Sequence, residues 1–301
     1  PPTAVMVAAI FLYIGAALAT LSVLLRERPA GIRAAVLLAA LVAMTFLSMR
    51  FFGQREHLAL ISALPYATLV GRRRERMPTG TGIALAVGLV AAMGFALKHY
   101  FVLVPLALEL WLLWRLRRDW RLIRPELLVL GAAAIAYAAA VLLLTPDFFR
   151  TMVPLVRLAY AGEDASFPTL ALKPFVLGWL FAGMAWWKYR NALSPLATTA
   201  FMAAAAFCLC YFIQAKGWAY HAEPAIAGAF FAVAVLAADQ VCKTRDLLRH
   251  PAIIAALAPP LAFAASWGAY VNPQGSRIDE LLHSTESGAP VAMLTANPSN
   301  I

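Results

Sequence analysis

Polar residues that could do chemistry fall in three short segments, each at the end of a long apolar run. Together the segments combine cations, carboxylates, amides and aromatic rings. The first contains Arg50, Gln54, Arg55, Glu56 and His57, the second Lys98, His99 and Tyr100, and the third Gln214, Lys216, Trp218, Tyr220, His221 and Glu223. If these segments lie side by side at one end of a helical bundle, they form a polar, basic cavity.

A cavity of this composition favours a phosphate or pyrophosphate group. Arg55, Lys98 and Lys216 bring positive charges that stabilise a departing phosphate more strongly than the ground-state ester, and so assist cleavage of the bond. The apolar runs that begin at these segments are predicted helices. The free N–H groups and the positive dipole end at their amino termini also attract an anion. Glu56 is the acid that could act there as a base.

Simpler explanations apply to some of the charged residues, because side chains at span ends commonly extend into the lipid headgroup layer. We interpret Arg50, Arg150, Arg157 and Lys173 in this way. The four consecutive polar residues 54–57 are different, since each unpaired group within a span costs on the order of 1–3 kcal/mol. Lys98 lies between two apolar runs and is interpreted as a site residue too. His57 and His221 are equally compatible with a structural role.

A metal site is not indicated by histidine spacing. No two of His57, His99 and His221 have the four-residue separation of a helical zinc pair. We therefore predict no metal-ligating histidines and no certain cofactor. A divalent ion stays possible because Glu163 and Asp164 form an acidic pair, which equally suits solvent or an acceptor sugar. The three cysteines have neither a metal spacing nor a disulfide pattern.

The sidedness of the chain follows from its basic loops, which hold most of the 25 lysines and arginines. These loops are residues 26–33, 72–76, 115–124, 188–190 and 243–249, and they alternate with loops that carry few cations. By the positive-inside tendency they are cytoplasmic, so the three polar segments face the other side. The net charge of +10 is then explained by the cytoplasmic loops and their contact with anionic lipid. We therefore predict no nucleic-acid partner.

The composition predicts an integral membrane protein, because 62% hydrophobic and 13% charged residues leave too little polar surface for a soluble globule. A helical span needs about 20 mostly apolar residues. Ten segments qualify, near residues 3–25, 33–50, 54–71, 81–97, 99–115, 127–145, 169–187, 193–215, 222–241 and 251–270. We therefore predict an all-α polytopic transmembrane bundle over residues 1–270, with both ends on the outer side.

Two further pieces are predicted on the outer side. Residues 148–160 are mostly apolar with Arg150 and Arg157 on one helical face, which suits a helix lying flat in the interface with a kink at Pro154. Residues 271–301 have helical spacing followed by a short strand pattern, and we expect them to begin a truncated periplasmic α/β domain. The opening Pro1-Pro2 lacks an initiator Met, so we expect a piece of a longer protein.

Three stretches resemble known membrane enzymes. Residues 51–60 place an acid at the start of a span, residues 94–105 have Gly-x-x-x-Lys followed by an apolar run and Pro, and residues 217–224 form an aromatic turn that ends in Pro. In this order they resemble the membrane half of the GT-C superfamily of glycosyltransferases, especially bacterial relatives of protein O-mannosyltransferases and of the aminoarabinose transferase that modifies lipid A.

The resemblance implies a polyprenyl-phosphate-linked sugar as donor, transfer with inversion outside the cytoplasm, and a principal catalytic acid in a first outer loop. That loop and the first span would precede Pro1. Glu56 would be the second catalytic acid. The expected substrate and phosphate contacts are Arg55, His57, Lys98, His99, Tyr100, Lys216, Tyr220 and His221.

The sequence thus predicts a bacterial inner-membrane glycosyltransferase that moves a sugar to a glycan, lipid or protein acceptor on the periplasmic side. One alternative is an enzyme like an O-antigen ligase or polymerase, which also joins lipid-linked glycans outside. Another is a multi-pass transporter or lipid flippase. Transporters usually place polar groups near the membrane midplane, and Glu109 alone favours that alternative.

Overall fold

The computed structural model describes residues 2–159, 164–191 and 193–244. Within these ranges the chain is all-helical and has no strand, as the apolar runs predicted. The first six helices are α1 (Pro2–Leu24), α2 (Ala30–Met44), α3 (Arg55–Arg74), α4 (Thr81–Phe95), α5 (Leu103–Leu116) and α6 (Pro125–Leu144). The remaining helices are α7 (Val153–Ala159), α8 (Phe167–Ala171), α9 (Pro174–Tyr189), α10 (Pro195–Gln214) and α11 (Ala219–Thr244).

Five helical segments of the described chain are long and apolar enough to cross a membrane. They are Ala4–Leu24, His99–Asp119, Pro125–Leu144, Pro195–Gln214 and Ala219–Asp239. Large apolar side chains on their surfaces, such as Leu12 and Ile135, are exposed, which is compatible with a lipid environment. The predicted count of ten spans is not confirmed, because α2, α4 and α9 are shorter and α3 carries charges at both of its ends.

Helix α3 occupies the centre of the bundle and packs against α1, α4, α5, α10 and α11. Small residues permit this close approach, as expected where dispersion contacts drive helix association. A Cβ atom at Gly94 of α4 would lie only 1.8 Å from Ser62 Oγ of α3, and one at Gly71 of α3 would lie 3.1 Å from the Cα atom of Leu196 in α10. The core therefore fixes the two ends of α3 relative to its neighbours.

Parts of three basic loops, 26–33, 72–76 and 115–124, meet at one end of the bundle. Arg28 pairs with Glu75, which joins the loop after α1 to the end of α3. Arg76 pairs with Asp119, which joins the end of α3 to the segment after α5. We call this end the basic end. The three polar segments lie at the opposite ends of the helices that they precede or follow, as the alternation of loops predicted.

The pieces predicted on the outer side have different outcomes. Residues Phe148–Met152 form a π-helical turn that continues into α7, so the segment is helical as predicted. The kink expected at Pro154 stays a prediction; Pro154 lies where the π-helical turn passes into α7. The predicted span at 251–270 and the predicted domain at 271–301 lie outside the described residues.

Candidate functional site

The three polar segments come together around the carboxylate of Glu56. The ammonium of Lys98 donates to Glu56 Oε1 and to Gln214 Oε1 at 3.0 Å. His221 Nε2 lies 3.6 Å from the same Glu56 oxygen. These four residues, the Glu56 cluster, connect the start of α3, the segment between α4 and α5, and the turn between α10 and α11. Segments separated by more than a hundred residues thus form one site.

Left-handed backbone conformations at the two turns allow the helices to end and begin beside the cluster. Gly53, with φ of +82°, precedes α3, and Gly217, with φ of +67°, precedes α11. Glycine adopts such values at no steric cost. Ala215 also has a positive φ of +54°, and its carbonyl accepts a hydrogen bond of 2.7 Å from the N–H of Ala165. The turn after Gln214 is therefore held by the segment before α8.

The Glu56 cluster is shielded from solvent. Side-chain exposure is 0% for Glu56 and 8% for Lys98, and His221 and Gln214 are also buried. Burial lowers the pKa of Lys98, and the negative charge of Glu56 opposes that shift. The rings of Tyr100 and Tyr220 flank the ammonium at 5.5 and 5.6 Å from their centroids, so cation–π attraction adds to the ion pair.

Arg55 is the exposed cation beside the cluster. Its positive charge also lowers the pKa of Lys98. In the part of the chain that the structure describes, its guanidinium has neither a hydrogen bond nor an ion pair. His99 is exposed next to the ring of Tyr100 at 4.5 Å, while Tyr100 and Tyr220 are half-buried. An anion from solvent can therefore reach Arg55 first.

Several buried polar atoms of the site have no hydrogen-bond partner among the described residues. They are Glu56 Oε2, Gln214 Nε2, His221 Nδ1 and Glu223 Oε2. The other carboxylate oxygen of Glu223 accepts from the Ser48 hydroxyl, which ties α11 to the chain after α2. Each unsatisfied group costs about 1–3 kcal/mol, so this concentration is unfavourable for stability alone. Such a site is prepared to hydrogen-bond something besides the protein.

The structure changes the expected roles of three predicted contacts. His57 accepts from the Gly53 N–H at 3.1 Å through Nδ1 and lies 2.7 Å from the Met44 carbonyl through Nε2. Both ring nitrogens are engaged and the ring is buried, which supports the structural role that the sequence left open for His57; the substrate contact there stays a prediction. Lys98 is committed to Glu56, and Lys216 is paired with the exposed Asp164 at 2.6 Å.

Sequence reasoning placed Gln214 and Glu223 in the polar segments without giving them a function. Their signal was the cost of a polar side chain at the end of an apolar span. Ser48 gave no signal, because a lone hydroxyl in an apolar run is common.

Among the described residues, no group of three His, Cys, Asp or Glu side chains is arranged to hold a metal ion. Glu163, one half of the predicted acidic pair, lies outside the described residues.

Comparisons of the chain with protein-family models, curated proteins and solved structures found no match. The fold and the site define an all-helical protein with apolar helices of membrane-spanning length and a buried polar cluster at one end.

Proposed function

We propose that this protein is a membrane glycosyltransferase of the GT-C kind, which transfers a sugar from a polyprenyl-phosphate donor to an acceptor hydroxyl. One observation carries the proposal: the Glu56 cluster joins a carboxylate, an ammonium and an amide at helix ends, with Arg55 open beside it. Carboxylates and cations close together suit a reaction in which a hydroxyl loses a proton and a phosphate leaves.

In the proposed reaction the acceptor oxygen bonds to the anomeric carbon of the sugar. The bond from that carbon to the phosphate oxygen breaks, and its electron pair leaves with the polyprenyl phosphate. The hydroxyl proton passes to a carboxylate that acts as the general base. Glu56 orients the acceptor hydroxyl through Oε2, while Lys98 holds Glu56 through Oε1.

Arg55 is the first phosphate contact in this proposal, since a guanidinium binds phosphate oxygens with paired, charge-assisted hydrogen bonds. Lys216 joins it by exchanging Asp164 for the phosphate. Lys98 stays bonded to Glu56 and Gln214, and its buried positive charge attracts the phosphate without direct contact. Tyr100, Tyr220, His99 and His221 line the site.

The proposed location is the bacterial inner membrane, with the Glu56 cluster facing the periplasm. It is supported by the basic loops, which meet at the opposite end and which the positive-inside tendency assigns to the cytoplasm. The π-turn and α7 would border the path of the prenyl chain, since Phe149 and Leu158 are exposed apolar side chains there.

The alternatives differ from this proposal in what they act on. An O-antigen ligase or polymerase takes a diphosphate-linked oligosaccharide, so the chemistry of the donor separates it from a monophosphate-sugar enzyme. A transporter or flippase drew its support from Glu109. This carboxylate accepts hydrogen bonds from Tyr66 at 2.9 Å and Trp120 at 3.1 Å and pairs with Arg124. A role in stabilising the fold therefore explains its presence within a helix.

The test uses the full-length protein in liposomes with radiolabelled polyprenyl-monophosphate hexoses, pentoses and aminopentoses, and with diphosphate-linked oligosaccharides. We expect transfer from a monophosphate sugar, reduced by about 100-fold in Arg55→Gln, since removing one charge-stabilising donor costs roughly that much. Arg118→Gln is the matched control, because Arg118 is exposed and lies at the basic end, away from the site. Transfer from the diphosphate donors alone would instead favour the ligase, and equal rates for both variants would remove Arg55 from the site.

A further inference from the structure

Gln214 is the last residue of α10 and is buried to 7% exposure. Its Oε1 atom lies 3.0 Å from Lys98 Nζ. An ammonium group only donates hydrogen bonds, so the atom that faces Lys98 must be the amide oxygen. The orientation of the amide is therefore fixed, and its NH2 group points away from Lys98.

The NH2 group has no hydrogen-bond partner among the described residues, although Nε2 is buried. Two acceptor-capable atoms of the same cluster, Glu56 Oε2 and His221 Nδ1, are in the same situation. The three residues belong to one cluster, because Lys98 donates hydrogen bonds to both Glu56 and Gln214. His221 Nε2 lies 3.6 Å from Glu56 Oε1. Donor and acceptor groups thus stand unsatisfied in one cluster.

This mixture selects among ligand chemistries. A phosphate oxygen only accepts, so it would be repelled by Glu56 Oε2. A metal cation needs acceptors only, and neither Gln214 Nε2 nor the Lys98 ammonium can coordinate one. A hydroxyl group both donates and accepts, so hydroxyls match the set: the acceptor hydroxyl lies at Glu56 Oε2, as proposed above, and a hydroxyl of the transferred sugar accepts from Gln214 Nε2.

The aromatic rings beside the cluster fit the same ligand. Tyr220 packs against His221 with centroids 4.3 Å apart and against Trp218 at 5.6 Å. Aromatic faces carry partial negative charge and attract the C–H face of a sugar ring.

We propose that Gln214 is a specificity-determining residue whose NH2 group hydrogen-bonds a hydroxyl of the transferred sugar. This inference rests on the proposed function, in which Arg55 holds the phosphate. It divides the site into an outer phosphate position and an inner sugar position. Loss of Gln214 should therefore affect discrimination between sugars and leave phosphate binding intact.

The experiment compares wild type with Gln214→Leu, which has a similar volume and no amide. Each is assayed with the donor that gives the fastest transfer and with its mono-deoxy analogues, each lacking one hydroxyl. A site built around a hydroxyl discriminates strongly against the deoxy ligand, so we expect wild type to disfavour one analogue by about 100-fold or more in kcat/KM. In Gln214→Leu that ratio should fall by at least about tenfold.

Two controls separate this role from a structural one. Thr198→Val removes another α10 side-chain hydrogen bond, from Thr198 Oγ1 to the Ser194 carbonyl at 2.9 Å, and should leave the ratio unchanged. Binding of sugar-free polyprenyl phosphate should be equal in wild type and Gln214→Leu. A uniform loss of rate with an unchanged ratio would overturn the assignment of Gln214 alone. Failure of wild type to transfer from any donor would overturn the proposed function and this inference with it.

Discussion

The two ends of the bundle treat their polar groups differently. At the basic end, Glu109 accepts from three side chains, and Arg72 donates to the Leu24 and Pro78 carbonyls at 2.7 and 2.6 Å as well as to Glu27. At the other end, the Glu56 cluster leaves several buried atoms without a partner among the described residues. Charged side chains that only stabilise the fold are expected to have partners for all of their polar atoms, because each open group costs about 1–3 kcal/mol. The carboxylate of Glu56, with one buried oxygen open, is therefore the better candidate for function.

Burial alone does not make this distinction. Glu126 is 1% exposed and binds Arg73 through both carboxylate oxygens, at 3.0 and 2.9 Å, whereas Glu56 is as deeply buried and uses only one oxygen for Lys98. Both carboxylates have a cation. What differs is whether the second oxygen is satisfied, and that difference can be tested at each end.

The largest effect is expected for Lys98→Met. Removing the cation leaves Glu56 buried and uncompensated, which costs about 3–5 kcal/mol for a buried ion pair, and it removes the group that orients Glu56. Thermal unfolding in detergent should show the loss of stability, and sugar transfer should be undetectable.

The double variant Lys98→Met with Glu56→Gln separates the two effects. It has no buried charge at this position, so we expect at least half of the lost stability to return while transfer stays absent. Recovery of transfer together with stability would mean that the ion pair serves the fold alone, and the contrast between the two ends would disappear.

At the basic end, Glu109→Gln should lower stability and leave sugar transfer unchanged. The amide retains some hydrogen bonds but leaves Arg124 without its negative partner, and we expect a loss of about 1–3 kcal/mol. Transfer per folded molecule should match wild type when the amount of folded protein is measured by gel filtration. A tenfold loss of transfer per folded molecule would give Glu109 a functional role and remove the contrast between the two ends.

The sequence was informative where a residue had to satisfy a strong local rule. Arginine-rich loops between apolar runs predicted that these loops share one side, and Arg28 with Glu75 and Arg76 with Asp119 bring three of them together. The cost of polar groups in a span marked Glu56 and Lys98. The sequence did not predict which side chains pair, because pairing depends on distances across the bundle. Lys98 forms an ion pair with Glu56, and His57 accepts a hydrogen bond from the Gly53 N–H.

A smaller effect, on stability through packing alone, is expected for Gly94→Ala. Gly94 lies four residues before Lys98, near the end of α4. The new Cβ would lie 1.8 Å from Ser62 Oγ and 2.7 Å from the Leu58 carbonyl. Helices α3 and α4 must separate, at a cost of about 1–3 kcal/mol for overpacking. Unfolding measurements should show that Ser62→Gly restores only part of the loss, because the backbone contact with Leu58 remains. Full restoration would contradict this account of the packing.

The smallest effect is expected for the exposed pair of Arg76 and Asp119 at the basic end. Their side chains are 71% and 61% exposed, so solvent screens the attraction and the pair contributes about 0.2–1 kcal/mol at most. Arg76→Gln should change the unfolding midpoint only slightly, and the change should vanish in high salt. Because this contact is exposed and lies at the end opposite the Glu56 cluster, transfer should be unaffected. A salt-independent loss of transfer in Arg76→Gln would show that the basic end communicates with the Glu56 cluster through the length of α3.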